Sequence, residues 1–171
     1  MTLSTLTTIA VVIATPVMGV LTYSAAEEPA CHYPEITLRG ELALGEDVRI
    51  RKKSRCLVLT ASSQVWPGYK VMRDGVSYVI GVSTENRRIR YISTQDPKFK
   101  TPENLTVAST LADALKHSSS GLRYETGWAY KVQLKSGWVA AFSFLAWDND
   151  RAEFVEQAPS SSSVVSWYFR R

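Results

Sequence analysis

The run Trp128-Ala129-Tyr130-Lys131-Val132-Gln133-Leu134-Lys135-Ser136-Gly137-Trp138-Val139-Ala140-Ala141-Phe142 carries the most regular pattern in the chain. Trp128, Tyr130, Val132 and Leu134 alternate with Ala129, Lys131, Gln133 and Lys135. A period of two is that of a strand with one dry face. Ser136-Gly137 supplies a turn, and Trp138, Ala140, Phe142 and Phe144 then resume the alternation. The expectation is a β-hairpin with one aromatic face.

Just upstream, Ile89 and Tyr91 alternate with Arg88, Arg90 and Ile92, which reads as another strand. Asp96-Pro97 stops it, and Pro102 keeps the next loop from becoming helical. Thr110 stands three residues before Asp113, the spacing of a capping box. Leu111 and Leu115 then share one face of a short helix, which Ser118-Ser119-Ser120-Gly121 is expected to end. Laid over the hairpin, that helix covers its aromatic face.

Further back, Asp74-Gly75 is a strong hairpin signal between 69–73 and 76–82. Thr84-Glu85-Asn86 reverses the chain again, so 69–93 reads as a three-stranded meander. Trp66-Pro67-Gly68-Tyr69 reads as a loop, with Trp66 and Tyr69 either folded onto the core or forming a binding tip. Ile36, Leu38, Leu42 and Leu44 alternate with Thr37, Arg39 and Glu41; Val48 and Ile50 alternate with Arg49 and Arg51. With 56–61 these predict a small N-terminal sheet. Beyond the hairpin, Asp148-Asn149-Asp150 resembles a calcium loop but lacks its turn glycine, and reads as an acidic turn. Pro159 and Ser160 to Ser163 form a link to a last aromatic strand, 164–171. The expected fold is therefore α+β and mostly antiparallel β. A small disulfide-tied N-terminal sheet is followed by a meander, one short helix and an aromatic hairpin.

The 171 residues suit one domain, 27–171, with possible sub-segments 31–66 and 67–171. Residues 3–23 are uncharged and largely apolar, and Ser24-Ala25-Ala26 offers small residues for cleavage. Residues 1–26 therefore read as a signal peptide or, uncleaved, as a membrane anchor. The compartment implied is periplasmic or extracellular. There the only two cysteines, Cys31 and Cys56, are expected to pair, which stabilises the chain by roughly 3–4 kcal/mol.

The run from Asp96-Pro97-Lys98-Phe99 through Thr110-Leu111-Ala112-Asp113-Ala114-Leu115, followed by antiparallel strands, resembles a recurrent pattern in exported bacterial proteins. Its helix-then-sheet order is similar to that of the SmpA/OmlA and β-lactamase-inhibitor-like modules. The resemblance implies a non-catalytic envelope module that binds a protein partner. It carries no active-site residues over.

Chemistry is sparse. His32 and His117 have no second ligand at metal spacing, and no nucleophile elbow, phosphate loop or dinucleotide fingerprint occurs. No cofactor or metal is expected. A hydrolase remains open only through dispersed carboxylates, Glu125, Asp148, Asp150 and Glu153. The net charge of +4 is locally concentrated: Arg49, Arg51, Lys52, Lys53 and Arg55 form one cluster, and Arg87, Arg88 and Arg90 another. They read either as a solvated, aggregation-resistant edge or as a site for an anionic polymer or lipid surface. Nucleic acid does not fit an exported compartment. The leading expectation is an exported binding module, an accessory, inhibitor or immunity-like protein working by protein contact. The candidate contact residues are Trp66, Tyr69, Arg49, Arg51, Arg88 and Arg90.

Overall fold

In the computed structural model, eight strands form one antiparallel sheet that curls into half a barrel. The structure describes residues 31–51, 53–61, 64–143, 145–148 and 153–171. The expected signal peptide or anchor lies outside these residues. Among the described residues no helix is long and apolar enough to cross a membrane.

The strands are β1 (Leu57–Ala61), β2 (Gln64–Arg73), β3 (Val76–Val82), β4 (Ile89–Thr94), β5 (Ser118–Glu125), β6 (Ala129–Leu134), β7 (Val139–Phe142) and β10 (Trp167–Arg170). Their order is β1-β2-β3-β4-β10-β7-β6-β5, which leaves β1 and β5 as the two edges. A separate ribbon pairs β8 (Leu145–Asp148) with β9 (Glu153–Glu156). The one helix among the described residues, α1 (Leu111–Lys116), has six residues. The class is thus mainly antiparallel β, and the helical share of the expected α+β fold is small.

The meander forms as its turn residues dictate. Asp74 and Gly75 both take positive φ, 52° and 75°, the geometry of a two-residue hairpin turn between β2 and β3. Thr94 and Asp96 then finish β4. The Thr94 hydroxyl donates to the Ser77 carbonyl oxygen, and the Asp96 carboxylate accepts from the Ser77 and Lys98 amides. The helix starts on the expected capping box, with Thr110 Oγ1 accepting from the Asp113 amide and Asp113 Oδ2 from the Thr110 amide.

One face of the sheet is roofed. Tyr69, Val71, Ile80, Val82, Ile89, Ile92, Val132, Leu134, Phe142 and Tyr168 point into a cluster closed by α1 and by the 95–109 loop. Phe99 is the keystone, with its ring 4.7 Å from Trp138 and 5.4 Å from Tyr168. The N-terminal segment completes the roof through Ile36, Leu38, Leu42, Val48 and Ile50.

Here the sequence expectation fails. Residues 36–50 form no separate sheet among the described residues. They run as an extended cover joined to the main sheet by two isolated bridges, Glu35 to Lys70 and Asp47 to Arg88. Their apolar alternation is real, but it faces the core without a ladder of its own. The third expected N-terminal strand does exist, as β1, yet it belongs to the large sheet. The disulfide is as expected: Cys31 bonds Cys56, with Cα atoms 5.6 Å apart, and so ties the start of the cover to the start of β1.

Two local expectations also change. Ser118 to Gly121 begin β5 instead of ending the helix in a loop; the ladder slips there, and Ser118 Oγ accepts from the Ser120 and Gly121 amides. Trp66-Pro67 lies inside β2, not in a loop. Pro67 is opposite Leu57 at the point where β2 stops pairing with β1 and starts pairing with β3, so its missing N–H breaks no rung. The expected terminal strand is present as β10, in the middle of the sheet between β4 and β7.

Candidate binding face

The other face of the same sheet is organised differently. Cross-strand registers place Val79, Ser93, Phe169, Val139 and Gln133 in one row across five strands. A second aromatic cluster stands on this face: Tyr91, Trp128 and Phe169, flanked by Tyr33 and Trp167. Ala129 and Ala141 leave room for these large rings. Trp128 meets Phe169 edge-on at 4.8 Å and Trp167 at 5.9 Å, while Tyr91 stacks on Phe169 at 5.8 Å. Such pairs add about 1 kcal/mol each beyond burial. Burial also pushes the Tyr91 phenol up to about 12, so it stays a neutral hydroxyl at any physiological pH.

Two close approaches shape the corner where β1, β2 and β3 meet. A side chain at Gly68 would collide with the Tyr33 ring. One at Gly81 would press on the Cβ atoms of Trp66 and Tyr91, 3.1 Å away from each. Space therefore excludes a side chain at Gly68 unless the Tyr33 ring shifts, and makes Gly81 a tight fit.

Beside this cluster the described residues leave a groove of about 570 Å³. Its apolar wall is Tyr33, Val58, Tyr91, Trp128 and Trp167, and its polar end includes Ser77, Ser93 and Asp96. Next to it along the face, a second pocket of about 350 Å³ carries Arg123, Lys131 and Arg171. Arg171 joins the two regions. Its guanidinium lies 5.0 Å from the Trp128 ring centre, donates to the Thr60 carbonyl of β1, and pairs with Glu125 at 2.6 Å. One side chain thus links the two ends of the half-barrel. Lys131 pairs with the same carboxylate. Arg171 and Lys131 outweigh the opposing effect of burial and hold Glu125 below the usual carboxylate range.

That pairing bears on the hydrolase reading. Glu125 is a satisfied counter-ion, ionised and doubly bonded, which is the opposite of a general acid's environment. The side chains of Asp148, Asp150 and Glu153 lie outside the described residues. No group of metal-ligating side chains occurs among the described residues. His32 is exposed, and His117 closes the helix through its backbone.

No protein-family model, no curated protein and no solved structure matches this chain.

Of the candidates taken from sequence, Tyr69 is 2% exposed in the roofed core, its hydroxyl accepting from the Ser54 amide, so it presents nothing to a partner. Trp66 is half-buried on β2, against Gly81. Arg49, Arg51, Arg88 and Arg90 are all exposed. The two basic clusters, distant in sequence, do meet: the Val48 amide donates to the Arg87 carbonyl and the Ile89 amide to that of Glu46. Arg88 is balanced by Asp47 at 3.6 Å. Sequence reasoning missed Tyr33, Trp128, Trp167, Arg123 and Arg171 as face residues. Trp128 stands on the opposite side of the hairpin from the alternation's expectation, because it sits in the turn before β6, where the period of two no longer holds.

The edge next to the groove is also distinctive. β1 carries no charge along Leu57–Ala61, and Leu57 and Leu59 are 57% and 46% exposed, beside Val65 at 49%. The Gly68 amide donates to the Cys56 carbonyl. Ladder alternation from that rung turns the backbone groups of Leu59 away from β2, toward the open edge. β5, at the other edge, is interrupted by Gly121 and carries Arg123 and Glu125, the usual defences of an exposed edge.

Proposed function

We propose that this is an exported, non-catalytic binding module of the bacterial cell envelope. It holds a protein partner by adding an extended segment of that partner to β1. The observation that carries this reading is the uncharged edge: a strand with exposed leucines, met by the Tyr33 hydroxyl at the Leu57 carbonyl and by Arg171 at that of Thr60, bordering an aromatic groove on the unroofed face. Strand addition draws affinity from main-chain hydrogen bonds and specificity from alternate side chains, and here alternate side chains would enter the groove beside Val58. The occupant is thus an extended peptide segment with apolar residues at every second position. The Cys31–Cys56 bond supports an oxidising compartment, and the resemblance to SmpA/OmlA and β-lactamase-inhibitor-like modules points to the same kind of contact protein.

Immobilised protein should capture one stoichiometric partner from envelope extract. Leu59→Lys, which sets a charge on the edge, should abolish capture while the circular dichroism spectrum stays unchanged. Replacing Arg49, Arg51, Arg88 and Arg90 together by Gln should leave capture intact. Capture that survives Leu59→Lys would refute the edge reading.

A second reading rests on the meeting of the two basic clusters at the Asp47–Arg88 bridge. Under it, the exposed arginines hold an anionic envelope polymer or lipid surface. Its mark is cosedimentation with cell wall or anionic vesicles that disappears at high salt.

A further inference from the structure

The pocket at the β5–β6 end holds an arrangement that the fold alone does not call for. Arg123 and Lys131 are directly opposite each other in the β5–β6 ladder. Like charges in that position destabilise a strand pair. Arg171 is brought to the same pocket from the far end of β10. Glu125 answers Lys131 and Arg171 together. Arg123 has no carboxylate within ion-pair distance among the described residues, and it is exposed. Three cations face one carboxylate, leaving a local charge of about two positive units. Ser120 and Gln133 line the same pocket.

We infer that this pocket is a binding site for a phosphate monoester dianion, with Arg123 as its principal ligand and Lys131 and Arg171 as supporting cations. The charge of such a group at neutral pH, between about −1.5 and −2, matches the local excess. The guanidinium fork of Arg123 suits two of its oxygens. Lys131 has further ammonium hydrogens beyond the one given to Glu125, and Ser120 offers a hydroxyl. The pocket volume of about 350 Å³ admits the phosphate and a small part of whatever carries it. This site shares Arg171 with the β1 edge through the Thr60 carbonyl, and its ligand does not depend on the partner proposed there.

The test is titration of the disulfide-intact protein with inorganic phosphate at fixed ionic strength, followed by amide chemical shifts. The expected result is saturable shifts centred on 120–133 and 171, with affinity rising from about pH 5 to about pH 8 as inorganic phosphate passes from monoanion to dianion. Arg123→Gln should weaken binding roughly tenfold, Arg123→Lys should restore part of the loss, and Arg90→Gln should change nothing. Because Arg123 is exposed on an edge strand, these variants should keep the fold. Vesicles containing phosphatidic acid separate the two sources of the group. Capture of vesicles, released by inorganic phosphate, assigns a lipid headgroup; binding of inorganic phosphate alone assigns a soluble phosphate. Absence of saturable binding, equal binding by acetate, or binding unchanged in Arg123→Gln would overturn the proposal.

Discussion

The two faces of the curled sheet are built from the same strands and serve different ends. On the roofed face most large side chains are closed off by the helix, the 95–109 loop and the 36–50 cover. On the other face, comparable aromatics stand around a groove and a cationic pocket. Burial alone therefore does not distinguish core from site. Trp138 and Trp128 are equally buried, yet one is roofed by chain and the other borders open volume.

Truncation of one large side chain on each face should separate the two. Phe142→Ala, at the roofed face, should cost about 3–5 kcal/mol in urea unfolding. Trp167→Ala, half-buried at the groove, should cost less than half of that and impair partner capture instead. Equal costs would make the two faces a single core split in two.

Next in size is the bond that pins the cover. Removing the disulfide by Cys31→Ala with Cys56→Ala should cost about 3 kcal/mol. Hydrogen exchange should then rise first at the amides of Ile36 and Val48, which bond to Lys70 and Arg87. Unchanged protection at those amides would show that the cover holds without its tether.

The helix cap gives a smaller, pH-dependent effect. Lys116, then Thr110, hold the Asp113 carboxyl down at about 2. Asp96 is also depressed, by the Lys98 and Ser77 amides. For Glu103, burial pushes upward, but the Ser136 hydroxyl and amide outweigh it. In each case the folded value lies below the unfolded one. Their stabilisation is therefore present above about pH 4 and is lost as the pH falls toward 2. Thr110→Ala should lower stability by about 1 kcal/mol at pH 7 and flatten that acid-side slope. A slope unaltered by the substitution would remove the cap from the explanation. Smallest of all, the four exposed arginines at 49, 51, 88 and 90 should each be worth under about 0.5 kcal/mol when replaced by Gln.

Local structure was largely legible. Asp74-Gly75, the Thr110–Asp113 box and the alternation around Ser136-Gly137 each specify their own geometry within a few residues. What stayed hidden was pairing between distant segments. Ile36 to Ile50 alternate because one side meets the core, but alternation records which side is dry, not whether a neighbouring strand exists. Serines 118 to 120 read as a helix stop because a bulge, invisible in composition, lets them start a strand. The site was hidden for the same reason. Arg123 opposite Lys131 is a signal only once 118–125 is recognised as a strand, and Arg171 reaches them only because β10 inserts between β4 and β7.

The most direct test is site-specific photocrosslinking in the native envelope. A photoreactive residue would replace Leu59, on the open edge, or Leu115, exposed on the helix of the roofed side. The expected result is one discrete adduct from position 59 and none from position 115. An adduct from position 115 with none from position 59 would contradict the assignment of the unroofed face and its edge as the surface that meets a partner.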